Sequence, residues 1–119
     1  MAWTVLIHDE FAEELARFDI RVQIELRAMT VLLSEIGPRL GRPRADTLKG
    51  SKHANMKELR FDAADGVWRV AFAFDPARSA ILLVAGDKSG RSERLFYRKL
   101  IEIADRRFDV HLDDVKRGK

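Results

Sequence analysis

VWRVAFAFD, residues 67–75, decides the fold. Successive side chains of an extended chain point to opposite faces. Trp68, Val70, Phe72 and Phe74 therefore share one side, and Arg69, Ala71, Ala73 and Asp75 share the other. The bulky row predicts a face packed on helices. The second row, an arginine over two small alanines, predicts a shallow, positively charged cleft rather than a second hydrophobic core. Upstream, MKELRF, residues 56–61, alternates in the same way, with Lys57, Leu59 and Phe61 opposite Met56, Glu58 and Arg60. Asp65-Gly66 in the turn AADG joins the two strands as a hairpin, though not strictly a two-residue one. Downstream, Asp75-Pro76 opens a second turn. AILLVAGD, residues 80–87, is apolar on both faces, as in a central strand.

Helices flank this sheet. WTVLI, residues 3–7, is a short strand candidate. Asp9 is a possible cap for a short helix at roughly 10–17, and Asp19 for a second running to Ile36. Val22, Leu26, Met29, Leu33 and Ile36 recur at steps of four and three, so they share one helical face, which Ile20, Ile24 and Val31 are expected to widen. Gly37-Pro38 ends it. GPRLGRPRADTLKGSK, residues 37–52, reads as a basic loop with one turn of helix near Arg44–Leu48. Ser92 is a cap for a last helix. Its apolar face comprises Phe96, Leu100 and Ile103 with Tyr97, Ile101, Ala104 and Phe108, leaving Lys99, Glu102, Arg106 and Arg107 largely outside. From about residue 109 the pattern fades into a tail of open order. The expectation is one α+β domain over residues 1–119, ordered β-α-α-β-β-β-α, with a small mostly antiparallel sheet and helices on one face.

Composition narrows the chemistry. The 119 residues contain no cysteine, so disulfides and thiolate chemistry are excluded. His8, His53 and His111 are too dispersed for a metal cluster, and neither metal nor cofactor is expected. No membrane-spanning run and no basic leader appear, so a cytoplasmic protein is expected. The formal charge of +3 is unevenly spread. Residues 1–36 carry three basic and seven acidic groups, residues 37–60 seven and two, and residues 88–119 ten and six. A surface made from the two basic segments would attract a polyanion.

Arg60, Arg69 and Lys88 lie on or just beyond neighbouring strands, close enough to converge on one phosphate. Glu58 shares their face and suits either a general base or an orienting partner for arginine. Lys49, Lys52, His53, Lys57 and Arg91 are candidate RNA contacts, with His53 able to titrate near neutrality. Tyr97 sits on the apolar helix face and reads as core. GDKSG, residues 86–90, lacks the spacing of a nucleotide-binding loop.

LKG at 48–50, KELRF at 57–61, WRVAFAFD at 68–75, ILLVAG at 81–86, Lys88 and FYRKLIEIADRRFDVHL at 96–112 occur in an order that resembles the HigB branch of the RelE/ParE toxins. The likeness is strongest to the phage-derived Gp49-like group and covers roughly residues 3–112. The resemblance implies a RelE-like fold and a toxin of a type II toxin–antitoxin system. It also implies metal-independent mRNA cleavage, usually on the ribosome, by attack of a ribose 2′-hydroxyl. A helix-turn-helix HigA-like antitoxin would be the partner. Carried over, Arg60, Arg69 and Lys88 match the family's basic residues. Relatives also place a tyrosine or histidine near the C-terminus, where this chain has Tyr97 and His111. A ParE-like gyrase inhibitor and a catalytically silent nucleic-acid or antitoxin-binding module are the alternatives.

Overall fold

A computed structural model describes residues 2–119. Strand β1 spans Thr4–Ile7, helix α1 Asp9–Leu15 and helix α2 Ile20–Ile36. A 3₁₀ turn at Gly37–Arg39 leads to β2, Ala45–Thr47, followed by β3, Lys57–Ala63, β4, Gly66–Phe74, β5, Ser79–Asp87, and α3, Glu93–Lys116. The five strands lie in the order β1-β5-β4-β3-β2. All neighbours are antiparallel except β1 and β5. The architecture is thus α+β, and β5 is an interior strand covered on both faces, as its two apolar faces predict.

The helices are divided between both faces of the sheet. Phe11 of α1 and Val22, Leu26, Met29 and Leu33 of α2 pack with Leu59, Phe61, Val70 and Phe72. On the other side, Phe96, Leu100, Ala104 and Phe108 of α3 pack on Met56, Ala71, Ala73, Ile81 and Leu83. The expectation of helices on one face, with an open cleft over the alanines, is corrected here. Small side chains on a sheet let a helix approach closely, and α3 fills the space with aromatic rings. Gly86 extends this close approach: a Cβ there would lie 2.8 Å from the Phe96 ring.

Local differences have identifiable causes. His8, not Asp9, caps α1, its Nδ1 accepting from the Glu10 amide at 3.1 Å. Asp19 caps α2 as expected. Ile20, Ile24 and Val31 do not widen the buried stripe; they are 63%, 62% and 55% exposed. The β3–β4 hairpin is a true two-residue turn, with Ala64 and Asp65 at φ 50° and 61° and Ala63 paired to Gly66. The expected helical turn near Arg44–Leu48 is instead strand β2, whose three residues pair with β3. The segment from residue 109, where the periodicity gives no clear reading, continues α3 to Lys116.

Arg107 departs most from its expected exposure, being 4% exposed. Leu83 is a bulge, because Ala71 pairs with Val84 and Phe72 with Leu82. Arg107 Nη1 donates to the Leu83 carbonyl at 2.7 Å and to Glu14 Oε1 at 2.9 Å. It reaches from α3 to α1 past the sheet edge, because β1 stops at Ile7 while β5 runs on to Asp87.

Candidate active site

The register of β3 on β4 sets Arg60 directly opposite Arg69, and Glu58 opposite Ala71. Like charges facing each other across a ladder are destabilising. The Glu58 carboxylate, close to Arg69, offsets part of this repulsion, and both arginines line a smaller pocket with Pro43 and Phe61. Ala71 is small, so the space above it admits Tyr97 from the second turn of α3. The Tyr97 hydroxyl donates to Glu58 Oε1 at 2.8 Å and accepts from Arg69 Nε at 3.2 Å. Arg69 Nη1 donates to the Trp68 carbonyl at 2.9 Å, and its Nε lies 3.7 Å from Glu58 Oε1. Both Arg69 and Glu58 are 6% exposed.

Burial dominates the electrostatics of this trio. It pushes the Glu58 carboxyl above its ordinary value, against the opposing pull of the Tyr97 hydrogen bond and the arginine charges. Burial, followed by the Glu58 hydrogen bond and charge, raises Tyr97 as well. Tyr97 therefore holds its proton, while Glu58 is a stronger base than a solvated glutamate.

Lys88 arrives from the end of β5. Its amide donates to the Val67 carbonyl at 2.8 Å, fixing the backbone. Its ammonium lies 2.9 Å from Glu93 Oε1 and 5.8 Å from the Tyr97 ring centre. That ammonium holds the Glu93 carboxyl below its usual range. A groove of about 520 Å³ opens beside Glu58, Arg60 and Tyr97, with Arg42, Lys49 and Arg94 along it.

Of the predicted residues, Lys49, Glu58 and Arg60 line this groove, while Arg69 and Lys88 meet it through Tyr97 and Glu93. The others lie elsewhere. Ser51, Lys52 and His53 are tied to Asp105 and Asp109 of α3, with His53 Nε2 2.8 Å from Asp109 Oδ1. Those aspartates stand eight and twelve residues beyond Tyr97, roughly 12–18 Å along the helix. Lys57 points to the opposite face and donates to the Pro38 carbonyl at 3.1 Å. Arg91 lines a second groove with Leu95 and Lys99. Tyr97 is the central residue that sequence reasoning assigns to the core. Its signal was the hydroxyl, which needs a partner when buried, and Glu58 stands on the facing strand surface to supply one. Arg42 and Arg94 carried no pattern by which to single them out.

Comparison with known proteins agrees with this architecture. Residues 13–109 match the family described as phage derived protein Gp49-like (DUF891). The chain is 50% identical over 82 residues to a Mycobacterium tuberculosis protein named "Putative toxin HigB2", covering 68% of this chain and 40% of that one. It is 53% identical over 76 residues to "Putative toxin HigB3" of the same organism, covering 64% of each. The matched segments thus span less than two thirds of either relative. A solved structure of an E. coli RelE toxin mutant in the free state superposes with TM-score 0.58 at 14% identity, covering 86% of this chain and 96% of that one. At that identity the likeness concerns the overall fold alone. With most of its length inside the family match, and with the strands that carry Glu58, Arg60, Arg69 and Lys88 all within it, the chain belongs to the phage-derived Gp49-like family.

Proposed function

We propose that the protein is the toxin component of a type II toxin–antitoxin system. On this reading it is a metal-independent endoribonuclease that cuts mRNA, presented on the ribosome, in the cytoplasm. A helix-turn-helix HigA-like antitoxin restrains it. The toxin reading draws on the names of the two relatives. The observation that carries the chemistry is the Tyr97 hydroxyl held between Glu58 and Arg69 beside a groove with several cations.

The steps follow from those groups. Arg60 and Arg69 receive the scissile phosphate, and their opposed charges are relieved by it. The 2′-hydroxyl oxygen attacks phosphorus, and its proton passes by way of the Tyr97 hydroxyl to the Glu58 carboxylate. The two guanidinium groups stabilise the charge that builds on the equatorial oxygens. The bond to the 5′-oxygen breaks, and Lys88, displaced from Glu93, gives that oxygen a proton. The products are a 2′,3′-cyclic phosphate and a 5′-hydroxyl. Two of the groove's carboxylates are already held by cations, Glu93 by Lys88 and Asp46 by Arg42, and among the described residues no three acidic or histidine side chains converge as the oxygen-rich ligand set that magnesium prefers.

Replacing the ribose just upstream of the cut by deoxyribose removes the nucleophile and should abolish cleavage at that bond, read by mapping RNA 5′ ends on programmed ribosomes. Cutting of the deoxy substrate at the same bond would refute internal attack. Growth arrest with transcripts left uncut would instead point to a gyrase-directed poison.

A further inference from the structure

The interior strand β5 is only partly covered by the edge strand β1. β1 pairs with Ser79–Leu82, and the His8 amide adds one more bond to the Leu82 carbonyl. Beyond that point the chain turns into α1. Arg107 takes the Leu83 carbonyl. From Val84 to Asp87 the β1 side of the strand carries no neighbouring strand. The Lys88 amide bonds to Val67, so Lys88, Gly86 and Val84 direct their backbone groups towards β4. By the alternation of an antiparallel ladder, Ala85 and Asp87 direct their N–H and C=O groups away from β4. Among the described residues, no hydrogen bond satisfies the Ala85 amide on that side.

An apolar trough runs beside this open edge. It has a volume of about 440 Å³ and is walled by Val84, Leu95, Phe96, Leu100 and Ile103. Leu95 is 60% exposed although it faces the trough. The rim is cationic, with Arg91 at one end and Lys99 midway. The Arg107–Glu14 pair lies outside the trough, at the Leu83 carbonyl that precedes the open edge. The open edge is about 13 Å long, enough for four residues of strand.

We infer that this edge is a docking site for an extended acidic–apolar peptide segment of a partner protein, added to the sheet as a strand beside Val84–Asp87. Unpaired backbone groups supply the main-chain bonds, and alternate apolar side chains enter the trough. Carboxylates between them meet Arg91 and Lys99. The site is separate from the Glu58–Tyr97 groove and does not depend on the proposed nuclease activity.

The test uses the full-length, nitrogen-15-labelled protein and two end-capped hexapeptides, one alternating valine with glutamate and the other valine with lysine. The glutamate peptide should slow solvent exchange of the Ala85 and Asp87 amides by about tenfold or more at saturation. The lysine peptide should bind about tenfold more weakly. Leu95→Glu, at an exposed position, should weaken the glutamate peptide by about tenfold. Lys99→Glu should reverse the preference between the peptides. Equal binding of both peptides, absence of binding at millimolar concentration, or protection confined to β1 or β2 would overturn the inference. So would a dimer in sedimentation that itself protects Ala85 and Asp87, because the edge would then serve a second copy of the chain.

Discussion

At the residue scale, Tyr97 links the candidate base to the candidate phosphate ligand. Arg69→Ala is a blunt probe, since Arg69 is buried and its loss strands both the Tyr97 hydroxyl and the Trp68 carbonyl. Tyr97→Phe keeps the ring and removes only the hydroxyl. It should lower the cleavage rate by roughly 10²–10⁴-fold, the usual range for a proton-transfer group, and lower stability by about 1–3 kcal/mol through the unsatisfied Glu58 carboxylate. Single-turnover cleavage and denaturant melts measure the two effects. Glu58 also has a pH signature. Its folded pKa is raised above the unfolded value of 4.5, so the folded state binds the extra proton between those values. The carboxyl is neutral in both states below 4.5, and stability is lost as pH rises through the folded pKa. Glu58→Gln keeps an acceptor for Tyr97 without this penalty. The stability of the variant relative to the parent should therefore climb as pH rises from about 4 towards neutrality. A pH-independent difference in melts would contradict the raised pKa.

At the element scale, the division of helices between two faces follows from side-chain size along one strand. Trp68, Phe72 and Phe74 project towards α1 and α2, whereas Ala71 and Ala73 leave room for α3 to lie close to the sheet. The Leu83 bulge and the early end of β1 then make a gap that Arg107 bridges. Arg107→Met keeps much of the stem but leaves Glu14 and the Leu83 carbonyl without their donor. A loss of about 3 kcal/mol is expected, at the low end for breaking a buried pair because Glu14 is itself partly solvated. Thermal unfolding checks it, and a loss below 0.5 kcal/mol would mean that water replaces the guanidinium. Glycine has a defined role at Gly86, where any side chain would push Phe96, and with it Tyr97, off the sheet.

At the scale of the whole molecule, charge is separated between the two sides of the sheet. The acidic first 36 residues form β1, α1 and α2, while the groove draws Arg42, Lys49, Arg60, Lys88 and Arg94 from the two basic segments. Such a field speeds encounter with a polyanion and makes binding salt-dependent. A non-cleavable 2′-deoxy oligonucleotide, followed by fluorescence anisotropy across a salt series, reads the contacts. Lys88→Ala should lower the slope of log affinity against log salt by about 0.7, the value for one phosphate on a single strand. Glu93→Gln should tighten binding, because Lys88 no longer has to leave a carboxylate. Unchanged slope and affinity in both variants would remove Lys88 from the set of phosphate contacts.

The alternation in residues 67–75, the four-and-three spacing of α2 and the two-sided apolarity of β5 were legible in the sequence, because each depends on local periodicity. So was the presence of Arg60, Arg69 and Glu58 on one strand face. The burial of Arg69 and Arg107, the conversion of part of a basic loop into β2 and the position of Tyr97 were not. Each depends on which segment, distant in sequence, arrives at a given surface. Alanines on a strand read equally well as an open cleft or as the seat of a close-packed helix; only the approach of α3 to Ala71 and Ala73 decides between them. That same approach carries the Tyr97 hydroxyl to Glu58 and Arg69, across 39 and 28 residues of chain.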